Sequence, residues 1–240
     1  MRAPLQCVVL AGGLGTRMRP LTDALPKNML PVAGRPFALW QLGLLASQGV
    51  EHFVYVIGHR GEAIRDYFGD GSRFGVRVSY VDEGRTLRGT GGALRFALDH
   101  APLDPAFLLI YGDSFTPVPI AQVQDAFAAS GMPALMTVLC NSERWDRSNV
   151  LFEDGRIVIY DKTRRHPRSL GMRHIDYGLS VLRREMIRER IPEGEAWDLS
   201  TTFHQLSVEG RLAGFEAQER FYEIGSPAGL QDFEAYAAKH

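Results

Sequence analysis

An apolar run from Leu5 to Ala11 breaks into Gly12-Gly13-Leu14-Gly15, followed at once by Thr16, Arg17 and Arg19. A short apolar run stopped by glycines reads as a buried strand entering a tight turn. Glycines also present backbone N–H groups with no side chain in the way, so such a loop can wrap a phosphate. Arg17, and Lys27 of the Pro26-Lys27 segment, add positive charge beside it. Together these are the groups needed to hold a nucleoside triphosphate. Two familiar phosphate loops are excluded. No Gly-Lys-Ser/Thr run follows the glycines, and Met18 stands where the third glycine of a dinucleotide fingerprint belongs. The plain alternative is a tight strand-to-helix turn.

The pattern downstream supports an α/β chain. Strands are expected at Phe53–Ile57, Val76–Val81, Phe107–Tyr111 and Ala134–Leu139. Helices are expected between them at Phe37–Gln48, Glu62–Phe68, Gly92–Asp99 and Ile120–Ala129. Alternation of this kind builds βαβ units, whose ligands sit beyond the carboxyl ends of the strands. The glycine loop, Asp82-Glu83 and Gly112-Asp113 each follow a strand, and are expected to converge on one cleft. In the second half, Glu153-Asp154-Gly155 signals a hairpin between Val150–Phe152 and Arg156–Tyr160. Ile175–Leu182 reads as a strand and Leu199–Glu209 as a helix. Leu212–Ala217 with Arg220–Ile224 reads as a second hairpin, and Pro227–Ala238 as a closing helix. Thr163–Met172 reads as a mobile loop.

The 240 residues are expected to form one domain, 1–240, with a nucleotide-binding half (1–140) and a second half (141–240). A net charge of −1 supplies no global field for nucleic acid. Arg164-Arg165-His166 lacks the interleaved aromatics of a nucleic-acid patch. Cys7 and Cys140 both fall in apolar strand patterns, so they are expected to pack as small hydrophobes in a reducing compartment. No secretory leader or membrane span is visible, and a cytoplasmic protein is expected. The seven histidines show no zinc spacing.

The run Leu10-Ala11-Gly12-Gly13-Leu14-Gly15-Thr16-Arg17-Met18, followed by Pro26-Lys27-Asn28, resembles the signature of the sugar-1-phosphate nucleotidyltransferases. Asn28 departs from the family's P-K-P, while Lys27 is kept. The resemblance implies a Rossmann-like α/β fold, with a mostly parallel sheet flanked by helices and a small β-rich sugar-binding lobe. No C-terminal left-handed β-helix of hexapeptide repeats is expected. It implies nucleotide contacts from Leu10, Ala11, Gly12, Gly13, Gly15, Thr16 and Arg17. Gly89-Thr90-Gly91-Gly92-Ala93 resembles the element lining the nucleobase, bringing in Gly89, Thr90 and Gly91; the plain alternative is a helix start capped by Thr90.

For the sugar phosphate, Tyr160-Asp161-Lys162 resembles a family E-K-P element. Ile175-Asp176-Tyr177-Gly178 resembles the strand facing the sugar. The implied contacts are Glu83, Asp161, Lys162, Tyr177 and Gly178. Strand alternation lets at most one of Asp176 and Tyr177 face the ligand. Asp198 reads first as the cap of the following helix. Asp113, at the end of FLLIY, is the implied Mg²⁺ ligand, and Glu223 of Glu223-Ile224-Gly225-Ser226 stands in for the family's second acidic ligand. Arg17, Lys27 and Asp113 are the implied catalytic groups. The implied reaction joins a nucleoside triphosphate to a sugar 1-phosphate. Gly12-Gly13 at the first turn and the short chain resemble guanylyltransferases acting on heptose or mannose 1-phosphate. UTP, dTTP or CTP with another sugar is the alternative. A glycosyltransferase would carry an Asp-x-Asp motif, which is absent, and a non-catalytic sensor has no need of Arg17, Lys27 and Asp113. Expected partners are these small molecules, without nucleic acid or membrane, in a monomer or small homo-oligomer.

Overall fold

The computed structural model describes residues 5–163 and 171–240. Arg164-Arg165-His166 and most of the loop expected over Thr163–Met172 therefore lie outside the described residues. The first half alternates as expected. It runs β1 (Cys7–Ala11), a two-stranded ribbon of β2 (Pro31–Val32) and β3 (Arg35–Pro36), α1 (Phe37–Ser47), β4 (His52–Ile57) and α2 (Glu62–Phe68). Then come β5 (Arg77–Asp82), α3 (Gly89–His100), β6 (Ala106–Tyr111), β7 (Ser114–Phe115), α4 (Ile120–Ser130) and β8 (Ala134–Cys140). The second half adds β9 (Val150–Glu153), β10 (Arg156–Tyr160), β11 (His174–Arg183), α5 (Arg184–Arg190), α6 (Leu199–Val208), β12 (Leu212–Ala217), β13 (Tyr222–Glu223) and α7 (Pro227–Ala237).

One nine-stranded sheet in the order β5-β4-β1-β6-β11-β8-β12-β10-β9 forms the centre. Its first four strands are parallel, while β11 runs antiparallel to both β6 and β8. The β-rich second half thus extends the same sheet. β1 lies inside the parallel part, where both faces are covered, which is why its run is apolar throughout and not alternating. Cys7, Val9 and Ala11 face a core shared with α1, α2 and α4, through Leu42, Ile64 and Val123. Val8 faces the opposite core, shared with α3, α5 and α6, through Leu94, Ile187 and Phe203. Each fully buried Leu or Phe there contributes roughly 1.5–3 kcal/mol relative to exposure. A third cluster packs α7 through Phe233 against Phe37, Phe115 and Ile224. Among the described residues no helix is long and apolar enough to cross a membrane.

Two expectations fail, and one helix was not expected. The Leu212–Ala217 and Arg220–Ile224 segments form no hairpin: β12 pairs in parallel with β8, and β13 pairs with β7 in a separate ribbon. The stronger pairing is long-range, because β8 offers β12 a fully buried partner. Cys140 is exposed at the end of β8, so only Cys7 packs as a core hydrophobe. Burial drives the Cys7 thiol far above its ordinary pKa. Helix α5 is the third difference. Its sequence REMIRER buries only Met186 and Ile187 on an otherwise charged surface, too few apolar positions for a periodic signal.

Candidate active site

The carboxyl ends of β1, β4, β5 and β6 open onto a cavity of about 360 Å³. Leu10, Ala11, Gly12 and Gly13 line one side, and Gly89 with Thr90 another; Lys27, Asn28, Glu83 and Asp113 also face it. Gly12 has a concrete steric reason to be glycine, since a Cβ there would fall on the Glu83 carboxylate. Glu83 itself is fixed by its backbone N–H, which donates to the Ile57 carbonyl at 2.9 Å. Its Oε2 is buried without a hydrogen-bond partner. Burial pushes its carboxyl up to about 7, with Arg88 opposing and Asp82 adding to the shift. Glu83, expected among the sugar contacts, therefore belongs to the glycine-loop cavity. Position directly after β5 decides this, because β5, β4 and β1 run parallel in that order and end on the same side of the sheet. Asn28 was not singled out by sequence beyond breaking P-K-P. It is buried, and both polar atoms of its amide lack partners where the residue lines the cavity.

Gly15, Thr16 and Arg17 do not line this first cavity. Gly15 is left-handed (φ 63°), and its carbonyl accepts from Thr22 Oγ1 at 2.9 Å. Thr16–Met18 forms a single 3₁₀ turn anchored by buried Met18. This turn sends Arg17 toward a second, adjoining cavity of about 490 Å³. The two cavities share Thr90, Tyr111 and Asp113 in their walls.

Asp113 sits between them, just before β7. The β7–β13 ribbon pairs Ser114 with Glu223, and the Ile224 N–H donates to the Asp113 carbonyl at 3.0 Å. Residues 110 positions apart in the chain are thereby brought side by side as two carboxylates. Lys27 donates to Asp113 Oδ2, and Arg17 Nη2 lies 3.6 Å from Glu223 Oε1. Burial and the Asp113 charge raise the Glu223 carboxyl above its ordinary range, against the pull of Lys27 and Arg17. A carboxylate raised by a like-charged neighbour is one that a further cation at that point would ionise.

The larger cavity brings together Lys162, Asp176, Tyr177, Gly178 and Asp198. Asp176 is the carboxylate of its strand: it accepts from Tyr160 OH at 3.2 Å and from the Gly178 N–H at 3.0 Å. The Tyr177 ring packs in the core, edge-on to Phe221 at 5.5 Å, while the residue also borders the larger cavity. Gly178 is left-handed (φ 92°) where β11 shifts register against β8. A Cβ on it would press on Ser114, 3.1 Å from Oγ. Asp161 is not among the lining residues; its Oδ1 accepts from the Thr163 N–H and Oγ1, both at 2.7 Å, closing a turn.

Asp198 caps α6, accepting from the Ser200 N–H at 2.9 Å, while also facing the cavity. Burial opposes its ionisation, yet the Ser200 and Thr90 hydrogen bonds and the charge of Lys162 hold its carboxyl below the usual range. Thr90 does not cap its own helix. Its hydroxyl donates to Asp198 and accepts from the Leu199 N–H at 2.9 Å, tying α3 to the start of α6. Gly91 is likewise corrected: it is buried beneath Trp197, whose carbonyl accepts its N–H at 2.8 Å, and it lines neither cavity. Trp145, Asp146, Asn149, Arg220 and Asp232 complete the larger cavity. Sequence reading passed over them because they match no motif, and they meet only through the 141–149 loop and the segment from Arg220 into α7.

The chain is similar to the mannose-1-phosphate guanylyltransferase of Mycobacterium tuberculosis, with 31% identity over 228 residues, 93% of this chain and 62% of that protein. It is 28% identical to the N-acetylmuramate α-1-phosphate uridylyltransferase of Neisseria meningitidis over 97% of this chain and 98% of that protein. The chain spans 62%, 53% and 46% of the length of three curated relatives it matches. In fold it resembles HddC of Yersinia pseudotuberculosis, complexed with GMP-PN, at a TM-score of 0.80 and 21% identity, covering 97% of this chain and 99% of that one. The family model "Nucleotidyl transferase" matches residues 6–148, which include the glycine loop, Lys27, Glu83, Thr90 and Asp113, and the chain belongs to that family.

Proposed function

We propose that this chain transfers a nucleotidyl group from GTP to mannose 1-phosphate or a heptose 1-phosphate, releasing pyrophosphate. The observation that carries this reading is the pair of adjoining cavities with Asp113 in their common wall. One holds the nucleotide, the other the sugar phosphate, and the reacting phosphates meet between them. A sugar phosphate oxygen attacks the α-phosphorus, the α–β bridging bond breaks, and pyrophosphate leaves with its electron pair. The attacking oxygen is already anionic, so alignment and charge neutralisation suffice.

Asp113 and Glu223 offer adjacent oxygen donors, and Lys27 already satisfies one of them with positive charge. That donor set fits Mg²⁺, which takes one or two carboxylates together with phosphate oxygens. When bound there, Mg²⁺ would neutralise phosphate charge at the reacting centre. Lys27 and the Gly12–Gly13 backbone hold the triphosphate. Arg17 stabilises charge building on the leaving group, and Lys162 holds the sugar phosphate from the far side.

The nucleobase reading rests on Glu83. A carboxylate presents only acceptors, and the Watson–Crick edge of guanine offers adjacent donors at N1 and N2. Uracil and thymine offer one donor between two acceptors, which a carboxylate repels. The 31% identical guanylyltransferase supports the same assignment. A screen of four triphosphates against a panel of sugar 1-phosphates, read as Mg²⁺-dependent pyrophosphate release, tests the proposal. Absence of release with every pair would overturn the activity; preference for UTP or dTTP would overturn the base assignment.

The same carboxylate makes a pH prediction. With its pKa raised to about 7, Glu83 becomes protonated as pH falls through that value and loses an acceptor. GTP affinity should therefore decline below about pH 7, beyond the decline seen in Glu83→Gln. At pH 8, Glu83→Gln should lower kcat/KM for GTP by roughly 10- to 100-fold, the loss of one charged hydrogen-bonding partner. Calorimetric titration across pH checks both. Lys162→Ala should raise KM for the sugar 1-phosphate about tenfold while leaving binding of the triphosphate unchanged, because Lys162 lines only the larger cavity. Equal weakening of nucleotide binding would refute the division of the cleft.

A further inference from the structure

Away from both cavities, Cys140, His174 and Glu216 place a sulfur, an imidazole nitrogen and a carboxylate oxygen within 4.8 Å of one another. Strand register brings them together. Cys140 closes β8 and pairs with His174 at the start of β11, while β12, on the other side of β8, sets Glu216 beside Val138. Side chains alternate along a strand. Leu139, Ile175 and Ala217 point into the core under α1 and α4, so Cys140, His174 and Glu216 share the opposite face. His174 and Glu216 lean over β8 from its two flanks, and Nε2 and Oε1 meet at 3.1 Å. The Phe152 ring stands edge-on to the imidazole at 5.2 Å and restricts its rotation. Cys140 is exposed, so the group is open to solvent on that side.

We propose that Cys140, His174 and Glu216 form a binding site for a borderline-soft divalent cation, Zn²⁺ by its chemistry, with a fourth position left to water. Thiolate, imidazole and carboxylate are the donors Zn²⁺ selects. The hard ion proposed for Asp113 and Glu223 takes oxygen and disfavours sulfur. The 3.1 Å between nitrogen and oxygen is close to the edge of a tetrahedron with bonds of about 2.0–2.1 Å, roughly 3.3 Å. Ligation removes the Cys140 thiol proton to solvent, and the His174 Nε2 proton that now bridges to Glu216 passes to Nδ1, or to solvent if the imidazole was charged, so binding releases at least one proton and strengthens with pH.

The ion would fasten three strand ends next to the 141–149 loop, which reaches the larger cavity. Asn141 directly follows Cys140, and its side chain holds the 141–149 loop by accepting from the Trp145 N–H at 3.1 Å. The His174 carbonyl accepts the Asn149 N–H at 2.9 Å, and Asp176 lies two residues further along β11. A cation here therefore stiffens the strands and loop that carry Trp145, Asp146, Asn149 and Asp176, without touching the reacting phosphates.

The test is a titration of chelator-treated full chain with Co²⁺ in excess Mg²⁺, read by absorption. One equivalent should produce a thiolate-to-cobalt charge-transfer band, which added Zn²⁺ abolishes by displacement. Cys140→Ser should remove the band. His174→Gln and Glu216→Gln should each retain it but weaken Co²⁺ affinity at least about tenfold. Circular dichroism confirms folding of each variant; the exposed position of Cys140 tolerates Ser, and the His174 and Glu216 variants test the site independently. Zn²⁺ should also raise the melting midpoint of the wild type and not of Cys140→Ser. Absence of the band would overturn the site. So would a band whose affinity is the same in the His174 and Glu216 variants, which would reduce it to capture by a free thiol.

Discussion

Asp113→Asn is expected to lower turnover by about a thousandfold and to flatten the Mg²⁺ dependence, the loss expected when the principal charged group at a phosphoryl-transfer centre is neutralised. Asparagine keeps the shape. The Asp113 carbonyl still accepts the Ile224 N–H, so the β7–β13 ribbon and Glu223 stay in place. What disappears is the charge that Lys27 pairs with and that a cation would need. Glu223→Gln should cost less. Its side chain is 43% exposed against 16% for Asp113, and it already shares its charge with Arg17. Turnover across a Mg²⁺ titration of the two purified variants checks the ranking. Near-normal and equal metal curves would remove Asp113 from the centre of the reaction.

Arg17→Ala should cost roughly a hundredfold or more in turnover while leaving the melting midpoint unchanged. The side chain is 71% exposed and, among the described residues, its ion pair is with Glu223 at the surface, so the fold does not rest on it. Met18, buried next to it, fixes the turn that directs Arg17 to the larger cavity, beside Glu223. Under the proposed mechanism that charge acts on the leaving group, so KM for the sugar phosphate should move little while kcat falls. Turnover close to wild type at saturating substrates would show that Arg17 plays no part in stabilising charge.

The boundary of what could be read from the sequence follows the range of the interactions. Elements set by local periodicity were legible: α2 is Glu62–Phe68 as expected, β4 and β6 differ by one residue at the start, and the hairpin at Asp154-Gly155 joins β9 to β10. The glycine loop and its two cations were legible too, because they lie close together in one stretch of the chain. Helix α5 was not, since it buries only two side chains.

The sequence by itself determined the α/β class, the glycine loop that opens onto the smaller cavity, and the identities of Lys27, Asp113 and Glu223 as the charged groups to watch. Only the tertiary structure decided what those groups face. Glu83 moved to the loop cavity because β5, parallel to β4 and separated from β1 by it alone, ends on the same side of the sheet as β1. Gly91 became a packing glycine because Trp197, more than a hundred residues later, lies across α3. The expected hairpin dissolved because β12 found its partner in β8, and β13 found its own in β7. Cys140, His174 and Glu216 carry no spacing signal, yet strand register sets them side by side. Local sequence specifies backbone conformation through short-range sterics and periodicity. Which side chains meet depends on sheet order and register, settled by burial of apolar surface over the whole chain.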